Sequence, residues 1–173
     1  MTDKDNRETP PELFAQLEAR WHFDLDAAAC HENAQCRVYY TQDGCWGKQT
    51  SDGIDYPCRP HKLSDLDGLT GSWKDRRVWC NPPFSDLRPW VEKAWASEAN
   101  LVVMLVPANR TEQAWWQELV EPDRGCCDDH GNLHHRHWDS FNAEFLPGRI
   151  RFIKDGVKMG SPMFGCCLLV WRR

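Results

Sequence analysis

Apolar residues recur along the chain in two rhythms, and the switching between them predicts the architecture. Residues 101–106, Leu-Val-Val-Met-Leu-Val, are apolar at every position, the pattern of a strand covered on both faces. Arg77-Val78-Trp79-Cys80 is a shorter buried run. Residues 22–26 alternate and lead into Ala27-Ala28-Ala29, which reads as a first strand turning into its loop. Helical spacing instead governs Leu13, Phe14, Leu17 and Trp21, and again Trp90, Val91, Ala94 and Trp95. Helices are therefore predicted over residues 10–20 and 88–99, with a third from Thr111 through Leu119 and a short one over residues 33–40 running into a second strand. Three β-type runs close the chain, at 143–146, 150–153 and 165–171, split by Pro147-Gly148 and Asp155-Gly156. Such alternation predicts an α/β fold, a mostly parallel doubly wound sheet with an antiparallel C-terminal hairpin.

Punctuation sets the boundaries. Residues 1–8 are polar and expected to be disordered. Thr9 and Glu12 are spaced as a capping box, with Pro10 and Pro11 suited to a first helical turn. Residues 44–64 and 126–138 read as loop insertions in one domain spanning 9–173. At 173 residues the chain is long enough for one α/β core and too short for a large second recognition domain. No apolar run reaches the roughly 18 residues of a membrane span, and the N-terminus lacks a signal peptide's apolar region, so no membrane partner and a soluble, intracellular protein are expected.

Composition changes this picture in three places. The nine cysteines are odd in number and include two adjacent pairs, which favours reduced thiols. Ten tryptophans fall mostly on periodic apolar positions and read as core. The net charge of −5 hides an asymmetry: residues 147–173 carry six basic residues (Arg149, Arg151, Lys154, Lys158, Arg172, Arg173) against Asp155 alone, +5, leaving −10 for the rest. A basic face able to meet phosphates is thus compatible with an acidic total.

Two segments carry metal-ligating types: Cys45, Cys58 and His61, and a second set in which Cys127, His130 and His134 fall at ligand-like intervals. Neither has a regular four-ligand spacing, so loops without a required metal are the reading, the second a mobile surface loop rich in imidazoles. The chemistry concentrates at Asn81-Pro82-Pro83-Phe84, on a strand-to-helix turn of the kind that lies at the carboxyl edge of an open sheet. Two prolines stiffen the turn and remove two N–H donors. The Asn81 amide and Pro82 carbonyl are acceptors, and Phe84 is a flat ring beyond them, together a pocket for a planar group bearing –NH2.

This tetrapeptide resembles the Asn/Asp/Ser-Pro-Pro-Tyr/Phe signature of S-adenosylmethionine-dependent amino-methyltransferases. Thr9-Pro10-Pro11-Glu12-Leu13-Phe14, Phe23-Asp24-Leu25-Asp26-Ala27-Ala28, Asp67-Gly68-Leu69 with Trp73, Trp79 to Phe84, and Gly148 to Phe152 are similar, in order, to the small phage-type DNA adenine methyltransferases. The resemblance implies a Rossmann-like methyltransferase that uses S-adenosyl-L-methionine to methylate the exocyclic amino group of adenine in double-stranded DNA, in the cytoplasm of a bacterial host if the chain is phage-encoded. It implies Asn81, Pro82 and Phe84 as catalytic residues. Thr9, Pro10, Asp24, Asp26, Ala27, Asp67 and Asn81 would meet the cofactor, although alanines stand where most members of the class carry glycines. Arg149, Arg151, Lys154 and Lys158 would meet DNA. Two rivals remain: an amino-methyltransferase of protein glutamine or RNA, and a non-catalytic, zinc-stabilised nucleic-acid-binding module.

Overall fold

The computed structural model describes residues 7–30, 33–41, 46–48, 67–124 and 138–173. Cys45, Cys58, His61, Cys127, His130 and His134 lie outside the described residues. The chain opens with helix α1 (Pro11–Trp21), then strands β1 (Leu25–Ala29), β2 (Val38–Thr41), β3 (Trp46–Lys48) and β4 (Arg77–Cys80). Helix α2 (Arg88–Ala96), strand β5 (Leu101–Pro107), helix α3 (Ala114–Leu119) and strands β6 (Ser140–Phe145), β7 (Ile153–Lys154), β8 (Val157–Lys158) and β9 (Cys166–Arg172) follow. A seven-stranded sheet runs β3-β2-β1-β4-β5-β9-β6, and β7 and β8 form a separate hairpin. The four strands β2, β1, β4 and β5 are mutually parallel, whereas β3 and β9 run against their neighbours.

Strand pairing explains why helices cover both faces. Val78, Val102, Trp171 and Phe141 are register partners and so share one face, on which α2 sets Trp95 with ring centroids 5.5 Å from Trp171 and 5.0 Å from Phe141. Trp79 points the other way and meets Phe14 of α1 at 5.8 Å and Phe23 at 5.7 Å. Strand β5, sandwiched between these layers, is buried at all seven positions. Trp73, Trp79, Trp116 and Trp171 are fully buried. Most described indoles find an acceptor, such as Gly68 O for Trp73 and Leu119 O for Trp95.

Several expected boundaries moved. The three alanines belong to β1 itself, because Asp26 and Ala29 pair with Tyr39 and Thr41 of β2. No helix forms over residues 33–37: the Asp26 carboxylate accepts the Gln35 N–H at 3.0 Å and the Asn33 side chain accepts the Cys30 N–H at 2.7 Å, diverting the backbone into turns. Helix α2 stops at Ala96, where the Ser97 hydroxyl donates to Ala94 O and Ser97 itself is extended. Helix α3 begins three residues later than Thr111. Of the run at 150–153 only Ile153 is in a strand, and the tight turn at Asp155-Gly156, both at positive φ, closes the β7–β8 hairpin.

The order of strands fixes where a ligand belongs. From β1 the chain steps to β2 on one side, then returns to β4 and β5 on the other, so the direction of winding reverses between β1 and β4. A crevice opens outside the carboxyl ends of two strands that part in this way.

Candidate active site

Asn81 immediately follows β4, at that reversal. Its amide nitrogen donates to the Arg7 carbonyl at 2.6 Å and to the Thr9 hydroxyl at 3.1 Å. A main-chain carbonyl can only accept, so this pair fixes which end of the amide faces the N-terminal segment. The other end, Oδ1, is buried with no hydrogen-bond partner among the described residues. A buried acceptor in that state costs about 1–3 kcal/mol, which a bound donor would recover. Pro82 is buried behind it, and the two prolines leave the turn little freedom to relax.

The expected capping box does not form. Thr9 is 3% exposed and its hydroxyl serves Asn81; Pro10 is the residue before α1, and no side chain caps that helix. Nor do Arg7 and Glu8 belong to a disordered tail, since Glu8 exchanges both backbone hydrogen bonds with Ile153, at 2.9 and 3.0 Å.

Phe84 is 9% exposed, and its face is not open. Phe152 and Phe164 stand edge-on to it at 5.7 and 6.1 Å, and the Arg7 guanidinium sits among the three rings, 5.6 to 5.9 Å from each centroid. The Arg7 Nε is buried without a partner among the described residues. Arg7 and Phe164 were invisible to sequence reasoning because a box assembled from residues 7, 84, 152 and 164 leaves no local spacing to read.

The acids expected at the cofactor divide. Asp24 lies at the amino end of β1, with its carboxylate accepting the Arg77 N–H at 3.0 Å, on the opposite edge of the sheet from Asn81. Asp26 is 3% exposed and accepts from Ala28 N and Gln35 N, so it braces the loop after β1. Burial pushes its carboxyl up to about 6. Asp67 caps its own turn through Oδ1, which accepts from Leu69 N and Thr70 N, both at 2.8 Å. That turn presses on β1: a Cβ on Gly68 would lie 1.8 Å from the Ala27 carbonyl oxygen, so only glycine fits. Ala27 is fully buried, and Ala28 is partly exposed.

A family model described as "DNA N-6-adenine-methyltransferase (Dam)" matches residues 1–52 and 50–172. The chain belongs to that family. A DNA N-6-adenine-methyltransferase of Escherichia phage T1 is 30% identical over 178 residues, an alignment that takes in 93% of this chain and 62% of the phage protein. The chain thus spans 62% of that relative's length.

The Dam-family chain carries its basic C-terminal residues in two places rather than one. Arg149 and Arg151 are exposed and lie close in sequence to Phe152, which packs against Phe84. Lys154 is half-buried in β7, and Lys158 is exposed and paired with Glu12 at 3.1 Å. Arg172 and Arg173 are remote, lining with Arg20 and Arg77 a cavity of about 340 Å³ at the amino edge of the sheet. Among the described residues no three His, Cys, Asp or Glu side chains converge as a metal cluster. Cys36, Cys80, Cys166 and Cys167 are free thiols, and burial pushes Cys166 and Cys167 up to about 12, leaving them protonated and inert.

Proposed function

We infer that this Dam-family chain transfers a methyl group to the exocyclic amino nitrogen of adenine in double-stranded DNA, with S-adenosyl-L-methionine as donor. The observation that carries this reading is the buried, unpartnered Asn81 Oδ1 at the carboxyl edge, an acceptor of known orientation beside an aromatic ring. It is complementary to an amino group on a flat ring. Family membership and the phage relative's name supply the chemical direction.

Adenine's amino group is hidden in a duplex, so the base must leave the stack, at a cost of a few kcal/mol. Stacking in the aromatic box and hydrogen bonds to Asn81 Oδ1 and the Pro82 carbonyl offset that cost. The same acceptors act on reactivity. With its hydrogens held, the nitrogen is drawn toward a tetrahedral arrangement that frees its lone pair from the ring. As positive charge grows on the nitrogen, acceptors already aimed at its hydrogens stabilise it without reorganising. Asn81 cannot rotate away, because both of its N–H bonds are held by the N-terminal segment. No side chain with a tuned pKa is required to begin the reaction.

The residues present fit the donor. The orphaned acceptor follows β4 next to β1, whose Ala28 is partly exposed there, with the Asp67 turn packed against that strand at the Ala27 carbonyl. Ala27, Ala28, Thr9 and Asp67 are the residues assigned to hold it. Asp26 positions the loop after β1 from beneath, and Asp24 is left out of the set because it lies on the far edge. When bound, S-adenosyl-L-methionine supplies an electrophilic methyl carbon on a cationic sulfur. Arg149 and Arg151 are assigned to DNA phosphates around the mouth of the box.

The test offers methyl-labelled S-adenosyl-L-methionine and separates DNA, RNA and protein acceptors, then digests the DNA to nucleosides. Label in N6-methyldeoxyadenosine is expected. Label confined to RNA or to protein glutamine would overturn the DNA reading, and calorimetry without any binding of the donor would overturn the enzyme.

A further inference from the structure

The aromatic box is occupied by the protein itself. Arg7 brings a planar cation among Phe84, Phe152 and Phe164, at 5.9, 5.8 and 5.6 Å from their centroids. Its backbone is anchored at two consecutive points, by its own carbonyl on Asn81 and, one residue on, by the Glu8–Ile153 bridge. The side chain, by contrast, is held only softly. Its Nε is buried without an acceptor, in the same cluster in which Asn81 Oδ1 is buried without a donor. Two groups of opposite hydrogen-bonding sense are therefore both unsatisfied, which marks this arrangement as incomplete. One exchange repairs both: a flat ring carrying –NH2 enters and donates to Asn81, and the guanidinium swings out into water.

We propose that Phe152 and Phe164 join Phe84 as walls of the target-base pocket, and that the Arg7 guanidinium is a placeholder which the base displaces. The proposal rests on the reading of the site as an adenine amino-methyltransferase centre. Guanidinium and nucleobase share the property the box selects, a thin planar face that stacks on aromatic rings. Phe152 also lies next in sequence to Arg151, so a base entering the box would bring its own phosphates to an exposed cation. A placeholder suits such a pocket, because three ring faces left uncovered would otherwise be an exposed apolar cavity between encounters.

The experiment follows Arg7 directly and through variants. In the wild-type protein with 15N-labelled arginine, the Nε–H resonance of Arg7, assigned by its loss in Arg7→Ala, should be displaced by the surrounding rings. It should move toward the free-arginine position on saturation with a duplex containing the mapped methylation site, and remain when that adenine is replaced by hypoxanthine, which lacks the amino group. In steady-state kinetics with DNA, Arg7→Ala should raise kcat/KM by roughly two- to fivefold, the size of one weak cation–π contact released. Phe152→Leu and Phe164→Leu, which keep an apolar side chain but lose the ring, should each lower kcat/KM by roughly tenfold or more, beyond what their loss of melting temperature accounts for.

An unmoved Arg7 resonance on a duplex that the protein methylates would overturn the placeholder while leaving the functional reading intact. So would an Arg7→Ala protein of wild-type melting temperature whose kcat/KM falls. If the wild type labels no DNA, the functional reading fails by itself. The placeholder is then judged by titration with adenosine, which must displace the Arg7 resonance for the box to count as a base pocket.

Discussion

Replacing Asn81 by alanine should separate activity from stability, and the structure allows the size of each effect to be worked out. The substitution removes two hydrogen bonds, to Arg7 O at 2.6 Å and Thr9 Oγ1 at 3.1 Å. At about 1 kcal/mol net each, their loss destabilises by about 2 kcal/mol. The same substitution deletes the buried unpartnered Oδ1, whose desolvation costs about 1–3 kcal/mol in the wild type. The two nearly cancel, so Asn81→Ala should lie within about 1 kcal/mol of wild type, a shift of only about 2–4 °C in Tm for a chain of this size. Methyl transfer has no such compensation. Losing a preorganised group aimed at the charge that develops in the transition state should lower the single-turnover rate by roughly 10²–10³-fold. Affinity for S-adenosyl-L-methionine, measured by calorimetry, should change little. Thermal melting, calorimetry and a labelled single-turnover assay on one preparation decide the matter. A loss of several kcal/mol of stability would make Asn81 a structural strut, and near-normal transfer by a folded variant would remove it from the chemistry.

Four further outcomes follow from the same geometry. Phe84→Ala should weaken capture of the extruded base by about 1–3 kcal/mol, read from 2-aminopurine fluorescence at the mapped target, while Phe84→Tyr should retain transfer; equal fluorescence in wild type and Phe84→Ala would end the stacking role. The Asp26 carboxyl is raised from 3.8 to about 6 by burial, so the folded state holds that proton more tightly than the unfolded one. Its contribution is therefore full below pH 3.8 and lost as pH rises through about 6, a decline of roughly 3 kcal/mol that urea titrations should show in wild type and not in Asp26→Asn. Gly68→Ala drives a Cβ to 1.8 Å from the Ala27 oxygen and 2.7 Å from the Trp90 ring, and should cost about 1–3 kcal/mol or more by urea unfolding; a variant as stable as wild type would mean that the turn lifts off β1 freely. Arg149→Ala/Arg151→Ala should flatten the plot of log K for DNA against log salt by about 0.9 per lost phosphate contact, whereas parallel lines would remove the pair from the interface.

What the sequence made legible was whatever depends on short range. The runs at 77–80 and 101–106 became β4 and β5, because an uninterrupted apolar stretch of that length has few other places to go. The turn at Asn81 was legible for the same reason: two prolines leave the backbone little choice. Misreadings arose wherever a polar side chain had both a local and a distant partner. Thr9 with Glu12 fits a helix cap, yet its hydroxyl is taken by Asn81, 72 residues away. The residues after β1 fit a helix, yet Asp26 and Asn33 claim their backbone donors. Three alanines carry no preference strong enough to reveal that pairing with β2 would extend β1 through them. The charge of residues 147–173 could be counted but not divided by place, since antiparallel β9 carries Arg172 and Arg173 to the amino edge of the sheet, away from the β7–β8 hairpin.

The N-terminal segment serves the site by two separable means. Its backbone sets the polarity of Asn81, because the Arg7 carbonyl is an acceptor that no substitution of the Arg7 side chain can remove. Its side chain fills the box that Asn81 overlooks. On the proposed reading, the first would make the Asn81 amide ready before substrate arrives, and the second would keep its pocket closed until then. These demands conflict if one movement must serve both, since pulling the whole segment away to admit a base would also release the Asn81 amide to rotate. The Glu8–Ile153 bridge resolves the conflict by pinning the backbone immediately beyond Arg7, so that only side-chain torsions need to change. It follows that cutting the anchor should be worse than removing the cation. A variant that weakens the bridge, Ile153→Pro, deletes one of its two bonds, the N–H that donates to Glu8 O at 3.0 Å, and should lower kcat for methyl transfer. Arg7→Ala should instead raise kcat/KM. The opposite signs of these two changes, in residues that touch the same segment, would be hard to obtain from general loosening of the fold; if both variants lost activity in proportion to their loss of melting temperature, the division of labour between backbone and side chain would be wrong.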